Sequence, residues 1–212
     1  MRKNGTVMVS VVERDKLIPG IWDPYHYRKN HSGKQLSDFV LLKKIRGRKY
    51  DSSTLDFDPI EYRHIPKGRF LIFSLHEKYE PRKKKYYAVK EQVLLFGTMR
   101  AYVGNVLVTP RAEWIGKESP ILFPVNSEFV RIGPKDGFLY FWWAFLQSPN
   151  FLQSLPAGSG GTRPRMTSET LSKTPVSIPA TDIRKEIHEK LVILAEKDWR
   201  NYSVKERLVL SI

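Results

Sequence analysis

A chain of 212 residues, 41 % of them hydrophobic, is long enough to bury one sizeable core or two small ones, and nothing in its composition points to disorder. Its 36 Lys and Arg against 22 Asp and Glu give a formal net charge of +14, which favours a polyanionic partner. The absence of cysteine excludes disulfides and cysteine-ligated zinc, and His26, His31, His64, His76 and His188 form no HxxxH or HExxH pair, so no metal site is expected.

In chain order, "TVMVSVV" (Thr6 to Val12) is a β-branched apolar run that reads as a strand. "SGKQLSDFVLLKKI" follows; Leu36, Phe39, Val40 and Ile45 lie near one helical face and Ser32 suits the N-cap, so a helix is expected there. "RFLIFSLH" (Arg69 to His76) reads as a strand, and "EKYEPRKKKYYAVK" after it as a charged, aromatic loop. Between Glu91 and Ile132, "QVLLFG", "VGNVLVT", "ILFPV" and "SEFVRI" are separated by Gly, Pro or charged breaks at hairpin-like spacing, which predicts four strands.

"GFLYFWWAFLQ" (Gly137 to Gln147) is apolar on nearly every side, so as a helix it is buried, and its aromatics belong to the core rather than to a base-stacking platform. "SPNFLQSL" restarts the helix with Ser148 as N-cap and Pro149 at the first helical position. After the glycine-rich turn "AGSGG", "TSETLSK" has room for a short helix starting near Thr167, and the prolines of "TPVSIPA" keep that stretch extended.

Thr181 or Asp182 can cap a terminal helix whose apolar stripe is Ile183, Ile187, Leu191 and Leu194. All 32 residues as one helix would span about 48 Å, too long to pack wholly on a domain of this size. The stripe therefore fits a partner helix, or packing back on the domain, and "RLVLSI" either frays or docks elsewhere. The expected division is a recognition domain over residues 1–180 and a helix over 181–212.

Charge is unevenly placed. From Thr181 onward there are seven basic and six acidic residues, so nearly all of the excess lies earlier, in "KKIRGRK", "RKKK" and "TRPR". Clustering of this kind favours a binding face over an even coat. Nucleic acid is favoured over a membrane surface, because no basic amphipathic helix with an apolar face is present. With no secretory signal or long apolar span, the expected location is cytoplasmic.

Catalytic signatures are missing. No Asp or Glu has Lys two positions later, as a PD-(D/E)xK nuclease requires. "DPYH" and "SPNF" approach the base-flipping methyltransferase turn but lack its second proline, and the chain has neither GxSxG nor a P-loop.

"AGSGGTRPRMTSETLSKTPVSIPATDIRKEIHEKL" resembles the closing segment of a target recognition domain in the specificity subunits of type I restriction-modification systems. There a "GT-RPR-I/M-S" turn precedes a short helix, then "L-x-x-x-P-V/I-x-I-P", then a long spacer helix. "VLLFGTMRAYVGNVLVTP" is similar to the family's strand, arginine turn and strand, "NSEFVRIGPKDGFLYFWWAFLQSPNFLQSL" to its "STEFLVLRP…YLYYLLRSPEF" passage, and "GIWDPYHY" to its "RLDPEYY" opening. The resemblance is strongest from Val93 to Leu191.

That resemblance implies a mixed α/β recognition domain with a mostly antiparallel sheet and packed helices, followed by a projecting C-terminal helix. It implies a non-catalytic protein that brings an adenine methyltransferase, often with a restriction translocase, to one half of a split double-stranded DNA site. S-adenosylmethionine is then expected only on the partner methyltransferase. A full specificity subunit has two recognition domains and two spacer helices, whereas this sequence has one of each. It is a half-subunit working as a homodimer through the helix interface Ile183, Ile187, Leu191 and Leu194, a subunit of a differently built system, or a diverged relative.

Arg46, Arg48, Lys49, Lys83, Lys84 and Lys85 are the phosphate candidates, against a solvated loop as the plain alternative. Arg100 and Tyr102 in "TMRAYVGN", with Thr162, Arg163 and Arg165, are the base-contact candidates. Each arginine has a structural alternative, pairing with a carboxylate or capping carbonyls to hold its turn. Two other classes remain: an RNA-binding or ribosome-associated basic module, and a diverged methyltransferase that would itself bind S-adenosylmethionine.

Overall fold

A computed structural model describes residues 33–51, 57, 59–65, 85–156 and 164–209, with side chains as far as 201. The strands expected at Thr6 to Val12 and Arg69 to His76, the Ser32 cap, and the glycine turn lie outside the described residues.

Among the described residues, seven strands form two antiparallel sheets. The first is four-stranded, in the order β1 (Val40–Lys44), β7 (Phe129–Pro134), β4 (Leu94–Gly97), β5 (Val106–Val108). The second is three-stranded, in the order β2 (Lys49–Asp51), β3 (Lys85–Lys90), β6 (Leu122–Val125). The helices among the described residues are α1 (Leu36–Phe39), α2 (Leu139–Phe145), α3 (Pro149–Ser154), α4 (Ser168–Ser172) and the long α5 (Thr181–Val209). The architecture is the expected mixed α/β one.

Two local expectations are corrected. The helix expected from Ser32 to Ile45 is helical only over α1. Val40–Lys44 instead runs as a strand, in register from Val40 opposite Pro134 to Lys44 opposite Val130. Pairing with β7 completes a ladder and buries Val40, and this tertiary gain overrides a local three–four spacing of apolar residues. The charged loop expected before Lys90 contains β3, the central strand of the second sheet, paired with both β2 and β6. Its Tyr86 and Val89 are buried while its terminal lysines, Lys85 and Lys90, stay in solvent.

The four strands between Glu91 and Ile132 are all present, but only β4 and β5 form a hairpin. β6 leaves for the second sheet, and β7 returns between β1 and β4.

The core lies between the inner face of the first sheet and α2. Leu94, Phe96, Val106 and Ile132 supply the sheet side, with Phe141 and Trp142 facing them from the helix. The aromatics of "GFLYFWWAFLQ" are therefore core: Tyr140, Phe141, Trp142 and Trp143 are all buried. Ser148 caps α3, its Oγ accepting the Phe151 N–H at 3.3 Å, and Thr167 caps α4 by accepting the Thr170 N–H at 3.0 Å. The proline-rich stretch after α4 is extended, with Val176 N–H donating to the Lys34 carbonyl and Leu36 N–H to that of Thr174.

Helix α5 begins at Thr181 and packs along α2 and the 3-10 turn Ala112–Ile115. Ala195 and Trp199 on its inner side are fully buried. Ile187 and Leu191 of the expected stripe pack partly against the core, whereas Ile183 and Leu194 remain 46 % and 52 % exposed. The helix thus packs back on its own domain and keeps an apolar flank in solvent.

Arg184 anchors the start of α5 and is buried. Its Nε donates to Asp136 at 3.1 Å, and its terminal nitrogens reach the Pro179 carbonyl at 2.9 Å and the Thr181 hydroxyl at 3.4 Å. Asp136 in turn accepts the Trp142 indole N–H at 3.1 Å. Charge, indole and helix start are satisfied together, which a buried guanidinium requires. One turn on, His188 Nδ1 accepts the Tyr140 backbone N–H, one of the donors left free at the first turn of α2.

Candidate nucleic-acid interface

The β4–β5 connection presents Arg100. The residue sits in the left-handed region at φ +50, where a side chain other than glycine is strained, and Ala101–Val103 follow as a 3-10 turn closed by Gly104 at φ +72. Arg100 itself is exposed, and Tyr102 is 59 % exposed, so both side chains stand out from the end of the hairpin.

The arginine–proline segment lies directly against this turn. Met99 bridges Arg165 in antiparallel fashion, Arg100 N–H donates to the Pro164 carbonyl at 2.7 Å, and Met166 N–H to the Thr98 carbonyl at 2.9 Å. Motifs more than sixty residues apart in sequence are thereby joined into one short two-stranded unit. Arg100, Tyr102 and Arg165 are brought together; Thr162 and Arg163 lie outside the described residues.

Two residues that sequence reading missed hold this unit in place. The Glu128 carbonyl accepts from the Tyr62 hydroxyl at 2.7 Å, the Thr98 hydroxyl at 2.7 Å and the Thr98 N–H at 2.9 Å. The Glu128 carboxylate accepts from Arg165 at 3.0 Å. Tyr62 also accepts the Met99 N–H at 3.3 Å, and burial pushes its phenol well above the ordinary tyrosine range, so it stays a neutral donor. Its ring lies so close to Gly97 that any Cβ there would collide with it. The glycine before "TMR" was the available signal, but nothing in the sequence names the tyrosine that fills the space.

Arg165 therefore has a double character. Its pairing with Glu128 is the structural role left open by the sequence, yet its side chain is 64 % exposed, and an ion pair in that setting contributes about 1 kcal/mol or less. Most of the guanidinium still faces solvent.

The phosphate candidates occupy another part of the fold. Arg46 and Arg48 lie in the β1–β2 connection, Lys49 on the edge strand β2, and Lys85 on β3 opposite Asp51; all four are exposed. Arg48 sits over the Tyr50 ring at 5.8 Å and Lys49 over Tyr87 at 5.4 Å, contacts that steady the stems while the charges remain in water. Lys83 and Lys84 lie outside the described residues.

The structure adds Arg131, which stands opposite Lys43 in the β1–β7 register, both exposed. Like charges facing each other across strands destabilise a sheet unless something anionic answers them. Among the described residues no group of His, Asp or Glu is arranged to hold a metal ion, and no helix is long and apolar enough to cross a membrane.

Comparison with known proteins bears on this arrangement. A search of curated protein sequences returns no match. Among solved structures, one chain from work on complex assembly and conformational transition of the type I R-M system is similar at a TM-score of 0.44 and 11 % identity, over 84 % of this chain and 42 % of that one. The HsdS subunit from Thermoanaerobacter tengcongensis is similar at a TM-score of 0.39 and 11 % identity, over 80 % of this chain and 41 % of its own. The chain spans less than half the length of either. The family model for the type I restriction modification DNA specificity domain matches residues 33–198, which include the arginine turn, the Arg165 segment and most of helix α5. The chain belongs to the type I restriction modification DNA specificity domain family, a family of recognition domains rather than enzymes.

Proposed function

We propose that this protein reads one half of a split double-stranded DNA site and directs an adenine-N6 methyltransferase to it, alone or together with a restriction translocase. The observation that carries this reading is the joining of Arg100 and Arg165 on one exposed unit, braced through Glu128 and Tyr62. A strained backbone at Arg100, fixed by a hydrogen bond from its N–H to Pro164, holds the base of the side chain in one orientation, the kind of preorganisation that base readout by a guanidinium fork rewards. Arg46, Arg48, Lys49 and Lys85, with Lys83 and Lys84 beside them in sequence, supply phosphate contacts that set register and affinity.

In this reading residues 1–180 are the recognition unit and 181–212 the segment that meets partners. Ile183, Ile193 and Leu194 are exposed on α5, and Ile183 and Leu194 of the expected stripe are available to a second helix, from another copy or from another subunit. S-adenosylmethionine belongs to the methyltransferase partner.

Affinity capture of the tagged chain from its native cell, with and without nuclease, tests the assignment. Retention of an adenine methyltransferase after nuclease treatment is the expected result. Capture of ribosomal or RNA-bound proteins that are lost on nuclease treatment, with no methyltransferase, would overturn it.

A further inference from the structure

Helix α3 buries Phe151 and Ser154 and turns Asn150 and Gln153 to solvent. Three residues apart, these two amides stack on one helical face. Neither forms a hydrogen bond with a described residue. The helix is fixed on the arginine turn by Leu152, which packs so tightly over Gly104 that a Cβ there would come within 2.9 Å of its methyl. Gln153 and Tyr102 consequently flank one open cleft of about 490 Å³. Gln147, which also lines the cleft, already donates to the Trp143 carbonyl and belongs to the helix framework.

What distinguishes Asn150 and Gln153 is their chemistry at this place. The chain carries a net +14, yet the cleft beside the arginine turn is edged by the uncharged amide of Gln153, with exposed Asn150 on the same face of α3, each presenting a donor and an acceptor in one plane. Phosphate is met by cations; a paired donor and acceptor matches a base edge.

We propose that Gln153 and Asn150 are specificity-determining side chains that select A·T pairs in the major groove beside the position read by Arg100. This rests on the duplex-recognition reading above. The Gln153 amide N–H donates to adenine N7 while its oxygen accepts from the adenine N6 amine, and Asn150 does the same one step along. A three-residue helical rise of about 4.5 Å is close to the base-pair step of about 3.4 Å, so the two amides address neighbouring pairs. Tyr102, at the mouth of the cleft, offers an apolar ring edge to the thymine methyl.

The test uses the full chain and a randomised duplex library. The wild-type selection defines the site, and Q153A and N150A are then selected in parallel. Each variant is expected to lose the A·T requirement at one position, with about a 5- to 150-fold fall in discrimination there and an unchanged preference elsewhere. Replacing the adenine at the Gln153 position by 7-deazaadenine, which lacks the N7 acceptor, is expected to weaken wild-type binding and leave Q153A unaffected. Unchanged selections by both variants would overturn the proposal, and so would an equal loss of affinity on every sequence, which marks phosphate contacts. If the wild-type chain binds duplex but enriches no sequence, the duplex-readout reading itself fails and this inference falls with it.

Discussion

Arg165 donates to the carboxylate of Glu128 at 3.0 Å, and the carbonyl of the same Glu128 accepts from both Tyr62 and Thr98, so one residue ties the arginine segment to the arginine turn. The backbone half of this junction is shielded and the ion pair is exposed. Removing the arginine side chain should therefore cost little fold stability. R165A is expected to lose about 1 kcal/mol or less in urea denaturation while weakening duplex binding several-fold. A loss of several kcal/mol would assign Arg165 to the fold alone.

Arg100 separates backbone strain from side-chain contact. At φ +50 both arginine and alanine are strained, whereas glycine is not. R100G should be more stable than R100A by about 1 kcal/mol, yet both should lose the same site preference, because both lack the guanidinium. Denaturation curves and competition binding on the two variants check this.

Arg184 behaves oppositely to Arg165. It is buried against Asp136, and its loss leaves a carboxylate without its cation and loosens the start of α5. R184A is expected to cost about 3 kcal/mol in chemical denaturation and to raise hydrogen exchange along α5. An effect as small as that of R165A would refute the anchoring role.

His188 makes the docking of α5 pH-sensitive. Burial holds its imidazole below the ordinary value of 6.5, outweighing the opposing pull of Glu189 and Asp136, and the neutral ring accepts the Tyr140 N–H through Nδ1. Because the folded value lies below the unfolded one, the unfolded chain binds the proton more readily. The stabilisation is complete above about pH 6.5 and is lost as pH falls through that value toward the folded one. Thermal unfolding midpoints should fall between pH 7.5 and 5.5 more steeply for wild type than for H188N, whose amide oxygen keeps an acceptor that does not titrate. Parallel pH profiles for the two chains would contradict this role.

What the sequence could and could not reveal follows from the range of the forces involved. Ser148 with Pro149 and Thr167 mark helix starts by local chemistry, and both helices begin where those residues predict, whereas Thr181 and Asp182, expected as caps, lie inside α5, where the Thr181 hydroxyl meets Arg184 instead of a backbone N–H. The strand character of Val40–Lys44 and Lys85–Lys90 comes from partners far along the chain, while their own letters carry helical spacing or a run of lysines. The arginine motifs were legible as motifs. Their junction was not, since Tyr62 and Glu128 reach them from 37 and 37 residues away in separate elements. Asp136 and Arg184, 48 positions apart, were invisible for the same reason.

The central claim is sequence-specific readout of duplex DNA, and the most direct measurement is selection by the full chain from a randomised duplex pool at physiological salt, with single-stranded competitors present. Enrichment of one short motif, with single-stranded DNA and RNA failing to displace it, is the predicted result. Equal retention of every duplex, or preferential capture of single strands, would contradict the account.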